Sequence, residues 1–364
     1  MNLKSLKLIL VSTPIGYIGS GKGGGVELTL ISLIKGLTSL GHQITLIAPE
    51  GSTITSDLSN ISIKYVSGLD QPSWQHQDQL APIQIPYDGL LPKLWEVAIN
   101  ESKYADAILN FSYDWLPIWL TPYLKEKVFH LISMGAVSKV MKKVVKDISD
   151  RYPYRFAFHT QRQADDYELS HKPYIVGNGF DLNDYKFKEK GGGPLGWVGR
   201  VSPEKGLEDA FKVAASLGEN LLVWGFMEDL NYAAYVQDLI PDKKIEFRGF
   251  LETKTLQNEL GNCRALINTP KWNEAYGNVV VEAMACGVPV VTYDIGGPGE
   301  IISSAKNGWL VRPNDIDGLK KAILRIGEID RKECRKWVEK FASKEVFAKK
   351  IEEWIIEGVS EKKF

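Results

Sequence analysis

Residues 6–48 read LKLILVSTPIGYIGSGKGGGVELTLISLIKGLTSLGHQITLIA. Leu6–Ser12 reads as one continuous, mostly apolar strand, short enough to be buried. A glycine-rich loop follows, GYIGSGKGGG at Gly16–Gly25. Val26–Leu40 then places Leu28, Leu30, Ile31, Leu33, Ile34 and Leu37 at helical spacing, with Gly41 as the stop. Gln43–Ala48 is a second apolar strand. Strand, loop, helix and strand in that order form the opening of a parallel, doubly wound α/β sheet.

Beyond this opening, Ile61–Val66, Ala107–Phe111 and Val128–Ile132 carry further strand signals, with a long loop expected between Gly68 and Leu94. A second α/β series begins near Gly191. Its expected strands are Leu195–Val198, Asn220–Trp224, Ile245–Arg248, Ala265–Asn268 and Val288–Tyr293, with a helix at Leu207–Leu217. The boundary falls within Lys172–Gly193, which ends in three consecutive glycines. Ala342–Gly358 is an amphipathic helix with Val346, Phe347, Ile351, Trp354 and Ile355 on one side. The expected division is 1–175 plus 342–364 for one domain and 176–341 for the other.

Composition narrows the classes. The 364 residues suffice for two domains, and 44 basic against 45 acidic residues give no reason to expect a nucleic-acid partner. Cys263, Cys286 and Cys334 form no C-x-x-C pair, so neither a disulfide framework nor a zinc site is expected, and a cytoplasmic setting fits. The first apolar run is too short for a membrane span.

The glycine loop matches two phosphate devices imperfectly. G-x-x-x-x-G-K-G at Gly16–Gly23 lacks the Ser or Thr of a P-loop, and G-x-G-x-x-G at Gly19, Gly21 and Gly24 begins seven residues after Ser12. Both spacings are loose, which leaves an NAD-dependent oxidoreductase as a rival reading and a loop over an external anion as the favoured one. Lys22 is a further candidate for that anion. Three features of the second half lie at strand ends, where open α/β sheets bind ligands. GWVGRVSPEKGLEDA sets Arg200 and Lys205 near a helix start, a pairing suited to a diphosphate. Arg248 and Gly249 end a strand whose main chain could grip a flat base. WNEAYGNVVVEAMACGVPVV sets Glu274 before a helix and Glu282 inside it, with Tyr276, Gly277, Asn278 and Val279 at the helix start.

That third motif resembles the retaining glycosyltransferases of family 4, which have the GT-B fold: two Rossmann-like doubly wound domains facing each other across a cleft. The resemblance rests on E-x7-E at Glu274–Glu282, CGVPVV at Cys286–Val291 and GGPGEII at Gly296–Ile302. VGRVSPEKGLE and GNGFDLNDY at Gly177–Tyr185 add to it. STPIGYIGSGKGGGVELTL further resembles the start of the pteridine glucosyltransferases of cyanobacteria.

The resemblance implies a UDP-sugar donor, a small-molecule acceptor such as a tetrahydropterin, and no cofactor. Arg200, Lys205 and the amides at Gly277, Asn278 and Val279 would hold the diphosphate. Glu282 would hold ribose hydroxyls and Glu274 sugar hydroxyls, while Gly23, Gly24 and Gly25 would close from the first domain. His130, in EKVFHLISMG, would lie beside the sugar at the end of a strand and steady its developing positive charge, through its main chain, rather than act as a base. No metal is expected, since the two cations offset the leaving group's charge and no Asp-x-Asp metal holder is counted. Aromatics crowd the first half at Trp74, Trp95, Tyr113, Trp115, Trp119 and Tyr123, a setting in which a flat ring could stack. His76 and Asp114 are candidate polar contacts to the acceptor, with Tyr113 and Trp115 beside them.

Overall fold

The computed structural model describes residues 5–20, 24–54, 61–124, 127–240 and 245–360. The chain forms two compact units, Met1–Phe180 with Lys344–Phe364, and Asp181–Ser343.

The first unit is built on β1 (Lys7–Val11), β2 (Gln43–Pro49), β3 (Ile61–Val66), β4 (Ala107–Asn110), β5 (Val128–Ile132), β6 (Phe156–Phe158) and β7 (Tyr174–Ile175). Their order is β3-β2-β1-β4-β5-β6-β7, with every pair parallel. β1 is an interior strand, Val11 lying beside Ile47 on one side and Asn110 on the other. β4 and β5 are buried at every residue, as strands covered on both faces must be. This explains why they read as plain apolar runs without alternation.

Helix Lys344–Ser360 is part of this unit's core. It packs on helix Gly25–Ser39, where Phe347, Ile351 and Ile355 meet the cluster holding Leu30, Leu33 and Leu37. Gly36 sets the approach: a Cβ there would stand 2.6 Å from the Lys344 carbonyl oxygen. The Trp354 indole meets the Phe129 ring edge-on at 5.2 Å and donates to the Tyr154 carbonyl at 3.0 Å. On the same helix, Glu352 lies 3.1 Å from the His42 Nε2 atom.

The second unit carries β8 (Leu195–Val198), β9 (Leu221–Trp224), β10 (Ile245–Gly249), β11 (Ala265–Asn268), β12 (Val290–Tyr293) and β13 (Gly308–Val311) in the parallel order β10-β9-β8-β11-β12-β13. β6, β7 and β13 have no counterpart among the expected strands. Two of them are only two or three residues long, too short to show a pattern. The expected loop after Gly68 is broken by a turn at Trp74–His76 and ends in helix Leu90–Glu101.

Helix Arg331–Phe341 is held in the second unit by main-chain carbonyls. Arg331 is 8% exposed and donates to the carbonyls of Lys188 (2.8 Å), Gly261 (2.8 Å) and Cys263 (3.0 Å). Two buried acceptors and one part-buried acceptor thus rest on one guanidinium. Arg331→Ala strips all three, and the expected result is a loss of about 3 kcal/mol from the second unit in urea unfolding. A loss below about 0.5 kcal/mol would show that water replaces the guanidinium without cost.

Candidate functional site

In the second unit the strand order reverses between β8 and β11, and this switch point is where open sheets leave room for a ligand. The loop after β8 carries Arg200 and Lys205, and the loop after β11 carries Glu274. Main-chain contacts bracket Lys205. Its neighbour Glu204 accepts from the Lys271 amide at 2.8 Å, and Gly206 accepts from the Thr269 hydroxyl at 2.7 Å. Gly206 has φ 65°, and a Cβ there would meet the Thr269 carbonyl oxygen at 2.1 Å. The two loops can touch because residue 206 has no side chain.

Lys205 donates to Glu274 Oε1 at 2.5 Å and lies 5.1 Å over the Trp272 ring. The Trp272 indole donates to the same carboxylate oxygen at 3.4 Å. The loop after β12 completes the arrangement. The Gly297 amide donates to the Glu274 carbonyl at 2.8 Å, and a Cβ on Gly297 would stand 2.3 Å from the Tyr276 carbonyl oxygen. Gly277 caps helix Asn278–Ala285 with φ 97°, so Asn278 and Val279 open the helix, where amides lack carbonyl partners within the helix. Arg200 donates to Glu204 at 3.0 Å and to Glu228. Cation and carboxylate are therefore interleaved around the switch point.

Glu282 lies one turn into that helix and is 6% exposed. It accepts from the Tyr185 hydroxyl at 3.3 Å and from Gln257 at 3.5 Å. Burial pushes its carboxyl up to about 7, against the lowering hydrogen bond from Tyr185. Arg248 is not brought to Lys205 and Glu274. It donates to Glu246 at 2.8 Å and lines an open hollow with Pro194, Asn220 and Cys263. Pro194 and Asn220 precede β8 and β9, whereas the ion pair follows β8 and β11, so the Arg248 side chain serves the other end of the sheet. Gly249 stands at the end of β10 with φ 70°. The chain does contain an Asp-x-Asp triplet, Asp315-Ile316-Asp317, which corrects the expectation that none is present. Asp315 accepts from the Gly318 amide at 2.8 Å as a helix cap. Among the described residues no cluster of His, Cys, Asp and Glu could hold a metal ion. Cys286 is buried, and burial pushes its thiol up to about 12, as expected of a packing residue.

In the first unit the order reverses between β1 and β4. The glycine loop follows β1, and Tyr113, Asp114 and Trp115 follow β4. Lys22 and Gly23 lie outside the described residues. Gly24 is the cap of helix Gly25–Ser39, with φ 57°. Glu27, in the first turn, accepts from the Gly19 amide at 2.7 Å and the Ser20 hydroxyl at 3.3 Å, so a carboxylate ties Gly19 and Ser20 to the helix. Asp114 is a helix cap that accepts from the Trp115 amide at 2.7 Å, and burial pushes its carboxyl up to about 6. Tyr113 and Trp115 are half-buried, while His76 is exposed. Trp74 and Trp95 belong to the core, whereas Trp115, Trp119 and Tyr123 stack in succession at 5.3 and 4.8 Å toward the surface.

His130 requires a correction. It sits in the middle of β5, not at its end, and is fully buried. Asn110 Nδ2 donates to His130 Nδ1 at 3.1 Å. The Thr121 hydroxyl donates to the Ile118 carbonyl at 2.6 Å, so its oxygen accepts from His130 Nε2 at 2.8 Å. Both ring nitrogens are used, and the ring stacks on Phe156. Burial holds the imidazole down to about 3. The side chain is a core group, which leaves the main chain of His130 for the role expected of it.

Tyr185, Gln257, Trp272 and Glu228 belong to the site without having been singled out. Trp272 could have been found, since it stands two residues before Glu274; the other three are far away in sequence.

Comparison with known proteins bears on the family and the fold. The family model described as "Glycosyl transferases group 1" matches residues 186–344. An uncharacterized glycosyltransferase of Methanocaldococcus jannaschii is 25% identical over 58% of this chain and 62% of its own length. A probable sucrose-phosphate synthase of Thermosipho melanesiensis is 25% identical over 53% of this chain and 55% of its own length. The matched part of the chain thus spans less than two thirds of these relatives. Among solved structures, Anabaena HepE in complex with UDP-glucose has a TM-score of 0.73 at 18% identity, covering 97% of this chain and 100% of that one. The sucrose-phosphate synthase of Thermosynechococcus elongatus has a TM-score of 0.72 at 18% identity, covering 97% and 98%. Two parallel-sheet Rossmann-like units are the architecture of these GT-B structures, and the family match falls almost wholly within the second unit.

Proposed function

We propose that the protein is a retaining glycosyltransferase that moves a hexose, glucose first, from a UDP-sugar to a small acceptor. The observation that carries this reading is the Lys205–Glu274 pair at the switch point of the second unit. Solved relatives of the same fold bound to UDP and to UDP-glucose favour that donor. In this reading Lys205 and Arg200 meet the diphosphate, with the amides at Asn278 and Val279. Glu274 then trades its lysine partner for sugar hydroxyls, and Glu282 meets the ribose. The acceptor oxygen bonds to the anomeric carbon as the carbon–oxygen bond to the phosphate breaks. The acceptor's proton passes to the leaving phosphate oxygen on the same face, which retains configuration. The cations stabilise charge as it builds on that phosphate, so no divalent metal is required.

A tetrahydropterin such as tetrahydrobiopterin is the acceptor suggested by the opening segment; lipid, polysaccharide and other small-molecule acceptors are the alternatives. The oxidoreductase reading loses ground to the family match in the second unit. Mass analysis of products from UDP-glucose and tetrahydrobiopterin tests the proposal. A hexosyl adduct formed in EDTA supports it. No UDP release with any acceptor, together with a rise in thermal stability on adding NAD, would favour the oxidoreductase.

Lys205→Ala should lower turnover on the order of a hundredfold with the fold intact, because a charge aimed at the leaving group acts mainly in the transition state. Turnover within about twofold of wild type would remove Lys205 from this role. Glu282 gives a pH signature. Its folded value of about 7 is above the ordinary 4.5, so its stabilising contribution is complete below about 4.5 and lost as pH rises through about 7. Glu282→Gln stays neutral, and should be about 2 kcal/mol more stable than wild type at pH 8, with the difference gone by about pH 4. Equal pH profiles in denaturant unfolding would show that the buried carboxyl ionises without penalty.

A further inference from the structure

A second buried histidine, in the first unit, has a different arrangement. His159 follows β6 and is 3% exposed. Its Nδ1 lies 2.6 Å from the Gly177 carbonyl oxygen, which can only accept, so Nδ1 carries the hydrogen. Nε2 is then left with a lone pair, and the Ser133 hydroxyl donates to it at 2.9 Å. Ser133 follows β5 and is half-exposed. With its hydrogen directed at the imidazole, the serine oxygen is presented to a ligand as an acceptor.

The surroundings hold this pair in place. Gln163, 1% exposed, donates to the carbonyls of Ile132 (2.6 Å) and Met134 (2.9 Å), the residues on either side of Ser133. Its Oε1 accepts from the His159 amide at 2.7 Å. The Tyr167 hydroxyl also donates to the Met134 carbonyl at 2.9 Å. One amide side chain thus fixes the main chain at both members of the pair. Burial holds the His159 imidazole down to about 4, against the raising hydrogen bond to Gly177, so it stays neutral from about pH 5 upward. A neutral imidazole keeps the serine hydrogen turned inward over the whole working range. The low basicity also argues for orientation over proton abstraction.

We propose that Ser133, oriented by His159, accepts a hydrogen bond from a hydroxyl of a small polyhydroxy acceptor at the carboxyl end of the first unit's sheet. Ser133 is the binding residue and His159 a positioning residue. The inference rests on the glycosyltransferase reading and supplies that reading with an acceptor contact.

The test is initial-rate kinetics with UDP-glucose and three polyol probes: tetrahydrobiopterin, fructose 6-phosphate and glycerol. Ser133→Ala should raise the KM of whichever probe the wild type glycosylates by roughly five- to tenfold, the worth of one hydrogen bond, with the KM for UDP-glucose unchanged. Ser133→Thr, which keeps the hydroxyl, should restore the acceptor KM. His159→Phe should reproduce the Ser133→Ala effect, and combining the two should add nothing further, since both remove one interaction. A wild-type acceptor KM in Ser133→Ala overturns the inference. So does UDP release by the wild type with none of the three polyols glycosylated. No UDP release under any condition would instead bring down the glycosyltransferase reading on which the inference stands.

Discussion

The second unit's site depends on main chain touching main chain at the carboxyl ends of β8, β11 and β12. Parallel strands put all their following loops on one edge of the sheet. Here those loops meet at separations that exclude a Cβ at Gly206 and Gly297. The Gly206–Thr269 and Glu204–Lys271 bonds hold the loop bearing Lys205, and the Gly297–Glu274 bond holds the loop bearing its partner. Lys271 adds a further tie, pairing with Asp209, which also accepts from the Tyr293 hydroxyl at 2.7 Å. Such a scaffold fixes charged side chains before any ligand arrives, which is the condition for electrostatic stabilisation without reorganisation.

Fixing charges at close range has a cost that shows in their partners. Lys205 faces Glu274, and Arg200 faces Glu204 and Glu228. A cluster of cations alone would destabilise the unit by mutual repulsion. Carboxylates placed among them keep the ligand-free protein stable. In the proposed reaction a diphosphate would take their place against the cations, so its net affinity is the difference between two charge-assisted sets of hydrogen bonds and not the full value of either.

How much of this could be read from the chain follows the range of each signal. Buried parallel strands such as β5 and β8 show as short apolar runs, and the expected limits Val128–Ile132 and Leu195–Val198 are the observed ones. β6 and β7 left no trace, because two or three residues carry no periodicity. Glu274, Lys205 and Gly277 could be found because their motifs are local and tied to a strand end and a helix start. Glu228 and Tyr185 could not, since they reach the site from loops distant in sequence. Arg248 shows the limit of a local motif. A strand-end position gave its place in the chain correctly, but the direction of its side chain was set by Glu246, two residues earlier on the same face.

The two histidines show how far one residue type can diverge on neighbouring strands. His130 receives a hydrogen bond on Nδ1 from an amide donor, so its hydrogen sits on Nε2 and goes to a threonine that is itself buried. His159 gives its Nδ1 hydrogen to a carbonyl, so its lone pair sits on Nε2 and receives a half-exposed serine. Burial makes both imidazoles neutral, and the partner at Nδ1 alone decides which way each ring is polarised. The first arrangement closes on itself inside the core. The second ends on an oxygen at the sheet's carboxyl edge, where a ligand hydroxyl can continue the chain of hydrogen bonds. A histidine in an apolar strand is therefore not assigned by its burial or by its motif. Its assignment follows from tracing each ring nitrogen to the last hydrogen bond and asking whether that bond ends inside the protein or at its surface.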